Sequence, residues 1–106
     1  MVDKYGLTEG NGVKKLLKDW DVFMEMPYSR GDYDAVVMLV DLDTAIERAG
    51  LTDKQVQAIT YYRQGYKLRE IGMFMDCSGT NARNFIERAC SSIAGVFKTW
   101  DINGAY

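Results

Sequence analysis

Histidine is absent from all 106 residues. That removes the commonest general base, the Ser–His and Cys–His nucleophile pairs, and most zinc sites. The two cysteines, Cys77 and Cys90, are too few for a disulfide framework. With no export signal visible over residues 1–10, both are expected to be reduced thiols filling small core spaces in a cytoplasmic protein. Only one proline, Pro27, interrupts the chain. The longest apolar run, Ala35 to Val40, is ended by Asp41, far short of the ~18 residues that suggest a membrane span. Neither a phosphate loop nor metal-ligand spacing occurs, so no enzyme, metal or cofactor is expected.

What is present is the make-up of one soluble domain, 47% hydrophobic and 26% charged. Charge is unevenly spread. Residues 1–50 hold six Lys/Arg against ten Asp/Glu, and residues 51–106 hold seven against five. Such asymmetry suggests that the halves meet different partners, or that their solvated helix faces simply differ in composition.

Every periodic segment reads as helix, which gives an all-α class of about five helices. Val13, Leu16, Leu17, Trp20, Phe23 and Met24 recur at three- and four-residue steps, predicting a helix over 13–26 that Pro27 stops. A loop over 28–31 leads to Asp32, a suitable N-cap for a second helix carrying Val36, Leu39, Val40, Leu42, Ile46 and Ala49 inward and closed by Gly50. Thr52 and Gln55 have the spacing of a capping box. They open a third helix that buries Val56, Ile59 and one edge of Tyr62 and ends near Gly65. A short helix over 67–75 carries Leu68, Ile71 and Met75. A turn at Asp76-Cys77-Ser78 follows, then a long helix with Ala82, Ile86, Ala89, Ile93 and Phe97 on one stripe.

Helix, tight turn, longer helix is the helix-turn-helix unit, whose second helix enters the DNA major groove. Its requirements are met in register. Gly72 is small where the helices must touch, Asp76 can take positive φ, Cys77 is an apolar anchor, and Ser78 can cap the second helix. Gly79, Thr80, Asn81, Arg83, Asn84 and Glu87 then lie toward that helix's exposed leading half. Arginine can grip guanine, and asparagine adenine, by paired hydrogen bonds. Lys67, Arg69, Ser78 and Arg88 are candidates for phosphate contact, with Lys54 and Arg63 as additional candidates. This basic footprint is thin, so affinity is expected to be weak unless a homodimer or a partner protein adds contacts.

The segment from Leu51 to Ile93, with Leu51-Thr52-Asp53-Lys54-Gln55, Leu68-Arg69-Glu70-Ile71-Gly72 and Asp76-Cys77-Ser78, resembles the fourth conserved region of bacterial sigma factors. More closely, it resembles the short sigma-like helix-turn-helix regulators encoded by phages and prophages of Gram-positive bacteria. The resemblance implies promoter recognition on double-stranded DNA and contact with RNA polymerase. It implies base reading at Arg83 and Asn84, and phosphate contact at Arg88, Lys67 and Arg69. Gly79 and Thr80 stand where primary sigma factors carry a charged pair, so a different DNA sequence is expected to be read. Nothing resembles the region that melts DNA.

The leading expectation is therefore a DNA-binding transcription regulator, monomeric or homodimeric, with no membrane partner. Two others stand beside it. In one, the helix-turn-helix is a scaffold, and the acidic, Met- and Tyr-rich surface binds RNA polymerase, a host regulator or a defence protein. In the other, the chain is a small DNA-packaging subunit that assembles into a ring.

Overall fold

The computed structural model describes Leu7, residues 9–19 and residues 33–102, with backbone alone at 33–39, 101 and 102. The described residues form five helices and no strand: α1 (Gly10–Lys18), α2 (Tyr33–Arg48), α3 (Asp53–Arg63), α4 (Leu68–Phe74) and α5 (Gly79–Ile102). None of these is long and apolar enough to cross a membrane.

The long helix α5 is the hub and packs against each of the other four. The reason is its stripe. Ala82, Ile86, Ala89, Ile93 and Phe97 are all buried, with Cys90 and Ala94 beside them, so the apolar face is wide enough to serve several neighbours. Leu7, Val13, Leu16 and Leu17 from the N-terminal segment join Leu42 and Ala45 of α2, Ala58 and Ile59 of α3, and Ile71 of α4 in one core.

Local chemistry sets most helix ends. The capping box at the start of α3 forms in both directions: Gln55 N–H donates to Thr52 Oγ1 at 3.2 Å, and Thr52 N–H to Gln55 Oε1 at 3.1 Å. Gly50 (φ 66°) and Gly65 (φ 93°) follow α2 and α3 in the left-handed region, where a Cβ is penalised.

Three expectations are corrected. First, α1 runs over Gly10–Lys18 rather than from Val13 to Met26. It ends early because Asp19 is a weak helix former and its charge opposes the negative end of the helix dipole. Its first residue, Gly10, lies against α5, where a Cβ would stand 3.2 Å from Ser91 Oγ. Secondly, Val40 is 60% exposed rather than inward. At 100° per residue it stands ~200° from Leu42, so the two cannot share a face. Thirdly, Val56 is 40% exposed, while Ile59 is buried. The expectations for Trp20, Phe23, Met24, the stop at Pro27, the loop 28–31 and the Asp32 cap lie outside the described residues. So do those for the side chains of Val36 and Leu39.

Cys90 is buried and Cys77 half-buried, both as free thiols. Burial pushes the Cys90 thiol up to about 12, so the folded chain keeps its proton where the unfolded chain, ionising near 9.0, loses it. The resulting stability is fully present below about pH 9 and is lost as pH climbs toward 12, at ~1.4 kcal/mol per unit. Desolvation first, with Cys90 and Asp19 adding to it, also raises the Tyr62 phenol, which acts in the same direction. Urea unfolding at stepped alkaline pH should therefore show a shallower loss of stability in Cys90→Ala than in the parent chain.

Candidate nucleic-acid interface

The turn between α4 and α5 is built by a close backbone approach. The Cys77 N–H donates to the Gly72 carbonyl at 2.7 Å. A Cβ on Gly72 would stand 2.7 Å from the Cys77 carbonyl oxygen and 2.9 Å from the Ser78 carbonyl carbon. Only glycine fits there. Asp76 takes φ 58°, the one non-glycine residue with positive φ among the described residues. Aspartate tolerates this region better than most side chains, because its short polar group can bond locally.

Ser78 starts the long helix as expected: its Oγ accepts from the Asn81 N–H at 3.0 Å. Its hydroxyl proton remains available to donate outward. From there the helix period divides the side chains. Ala82, Ile86 and Ala89 point into the core, and Thr80, Asn81, Arg83, Asn84 and Arg88 are exposed. The leading turns of α5 are thus held rigidly from behind and uncovered in front, as a helix entering a groove needs to be. Gly79 is half-buried against the backbone of Leu68 and Arg69, 3.6 Å from the Arg69 Cα for an added Cβ. It contributes closeness to α4 rather than a contact group.

Glu87 is held between two cations. Arg83 Nε lies 3.3 Å and Lys14 Nζ 3.5 Å from the same carboxylate oxygen, Oε1. The Arg83 hydrogen bond foremost, with both positive charges behind it, holds the Glu87 carboxyl below its usual range. Because the arginine uses Nε, its two terminal amino groups stay free for a paired contact with one base. The pair is exposed and screened by solvent, so it orients Arg83 without competing seriously for it.

Lys67 and Arg69 are exposed at the start of α4, and the Lys67 N–H is capped by Glu70 Oε1 at 2.9 Å. Arg63 is not part of this surface: it is half-buried, with Asp43 Oδ1 3.5 Å from its Nη2. Three cations in α1, Lys14, Lys15 and Lys18, escaped the reading of the sequence because they lie in its acidic half. The signal that could have found them is their spacing, which sets them on the polar side opposite buried Val13, Leu16 and Leu17.

A second, apolar surface lies at the C-terminal end of α4. Met73 is 74% and Phe74 48% exposed. Phe74 forms an aromatic cluster with Tyr61 and Tyr66, at ring-centroid distances of 5.2 and 5.0 Å. Met73 faces out because α4 turns its single inward stripe, Leu68, Ile71 and Met75, to the core.

Comparisons with known protein families, with characterised proteins and with solved structures give no match for this chain. The reading of function therefore rests on the geometry itself.

Proposed function

We propose that this chain is a sequence-reading, duplex-DNA-binding transcription regulator that lays the leading turns of α5 in the major groove. The observation that carries the reading is the division of α5: Ala82, Ile86 and Ala89 are locked in the core while Thr80, Asn81, Arg83 and Asn84 stand uncovered beside the Gly72 turn. Arg83 and Asn84 have the donors and acceptors that distinguish base pairs in that groove. Lys67, Arg69, Arg88 and the Ser78 hydroxyl are placed for phosphates on its rim. The resemblance to sigma factors agrees with this arrangement and adds an expected RNA polymerase contact and a phage or prophage setting.

The test is selection of bound duplexes from random DNA, with and without RNA polymerase. An enriched sequence is expected, and Arg83→Ala should weaken binding to it by about 1–3 kcal/mol while relaxing preference at one base pair. If no sequence is enriched at low salt under either condition, the proposal fails.

The exposed Met73 and Phe74, with the tyrosines behind them, favour a second reading in which this patch is a protein contact. Nuclease-treated binding to purified RNA polymerase, lost in Met73→Ser, would support it. Binding that vanishes with the nucleic acid would count against it.

A further inference from the structure

Between α1 and the loop that joins α3 to α4 lies an open groove of about 730 Å³. Lys14, Lys15, Lys18 and Lys67 line it, with Asn11 and the exposed Tyr66 as further hydrogen-bonding groups, and among the described residues no carboxylate lines it. Lys15, Lys18 and Lys67 have no ion-pair partner among the described residues. We propose that this groove holds a phosphodiester backbone of the DNA duplex, so that α1 clamps the strand bordering the helix read by Arg83 and Asn84.

Three observations carry this. The first is charge: four lysines line one concave surface in a chain of net charge −2, and only Lys14 among them is ion-paired among the described residues. Lys14 and Lys18 stand four residues apart on α1, a like-charge spacing that costs an isolated helix stability. The helix dipole favours cations in its last turn, and this offsets part of the repulsion; an anion in the groove would remove the rest.

The second is position. Lys14 meets α5 at Glu87, the residue that also holds Arg83. At the other end, Lys67 immediately precedes Leu68 and Arg69, against which Gly79 packs. The groove itself is lined by α1 and residues 62–68, and these two links tie its ends to α5 at Glu87 and Gly79. The major groove is ~12 Å wide, so a helix seated in it has a phosphate strand along each flank, within reach of side chains from the neighbouring elements.

The third is donor chemistry. Ammonium, phenol hydroxyl and amide N–H groups are the donors that contact DNA backbones without reading sequence. Three added cations also remedy the thin footprint left by Lys67, Arg69 and Arg88 alone.

This inference rests on the proposed DNA reading, and the experiment separates the two. Binding of a fluorescent duplex is measured over a salt series for the full chain, Lys15→Gln/Lys18→Gln and Arg83→Ala. Both lysines are exposed on α1, so the double variant is expected to fold, which circular dichroism checks before binding is measured. The double variant should bind roughly tenfold or more weakly near 0.1 M salt, and its log–log salt slope should fall by about 2. Its base preference should be unchanged, whereas Arg83→Ala should alter preference with the slope nearly kept. If the double variant keeps parental affinity and slope while Arg83→Ala still changes preference, the clamp is wrong and the DNA reading stands. If the parent binds no duplex, both fall. An anionic phosphatidylserine vesicle runs as a parallel arm: lysine-dependent binding to vesicles with none to duplex would overturn the assignment to DNA.

Discussion

Gly72→Ala is expected to destabilise the fold by about 3 kcal/mol or more, while Gly95→Ala is expected to stabilise it by about 0.5–1 kcal/mol. Both glycines sit inside helices, where alanine is intrinsically the better residue. The surroundings decide the sign. Around Gly95 an added Cβ meets nothing within 4 Å. At Gly72 it would meet the Cys77 carbonyl oxygen at 2.7 Å, the Ser78 carbonyl carbon at 2.9 Å and the Gly79 nitrogen at 3.0 Å. All three are backbone atoms, so relief requires moving the turn itself. That motion would pull on the Cys77-to-Gly72 hydrogen bond and on the start of α5. Denaturant melts of the two variants give the signs, and Gly72→Ala should also lose duplex binding at temperatures where it is still folded. Equal effects of the two substitutions would contradict the close-approach account.

The second large effect belongs to Phe97. Its side chain is fully buried, and its ring meets Trp100 edge to face, with centroids 5.2 Å apart at 86°. Trp100 in turn carries the Arg48 guanidinium 5.9 Å from its ring centroid, which ties the end of α2 to α5. Phe97→Ala removes the largest fully buried side chain among the described residues and leaves a cavity, at a cost of about 3–5 kcal/mol. That is a large share of the ~5–15 kcal/mol that holds a typical domain together. Lys98→Ala, one residue on and exposed, should change stability by less than about 0.5 kcal/mol. Phe97 lies 18 residues beyond Gly79, ~27 Å along the helix axis, so folded Phe97→Ala should bind duplex as the parent does. Thermal melts and binding measured well below the midpoint check both halves of the expectation.

How legible each feature was depends on how local its cause is. Thr52 and Gln55 were readable because donor and acceptor are three residues apart and need nothing else. The turn was readable for the same reason: Gly72, Asp76 and Ser78 each meet a requirement set within seven residues. The α5 stripe announced itself by its period. What failed was orientation. Val40 and Val56 are apolar yet exposed, because the face a helix buries is chosen by its neighbours and not by composition. The end of α1 at Lys18 was missed because the apolar pattern continues past Asp19 although the helix does not. Leu7, fully buried, lies outside any periodic segment and gave no signal. In the candidate site, Arg83, Asn84 and the Ser78 cap were legible from register. The Lys14–Glu87 pair was not, since it joins positions 73 apart in the chain and depends on α1 packing across α5.

The central claim is that the uncovered leading turns of α5 meet the duplex. Titrating a short selected duplex into isotope-labelled protein, and following each backbone amide by NMR, tests it most directly. Shifts concentrated at Thr80, Asn81, Arg83 and Asn84, with Met73 and Phe74 unmoved, are the predicted result. Shifts confined to Val56, Met73 and Phe74, with α5 silent from Gly79 to Glu87, would contradict it.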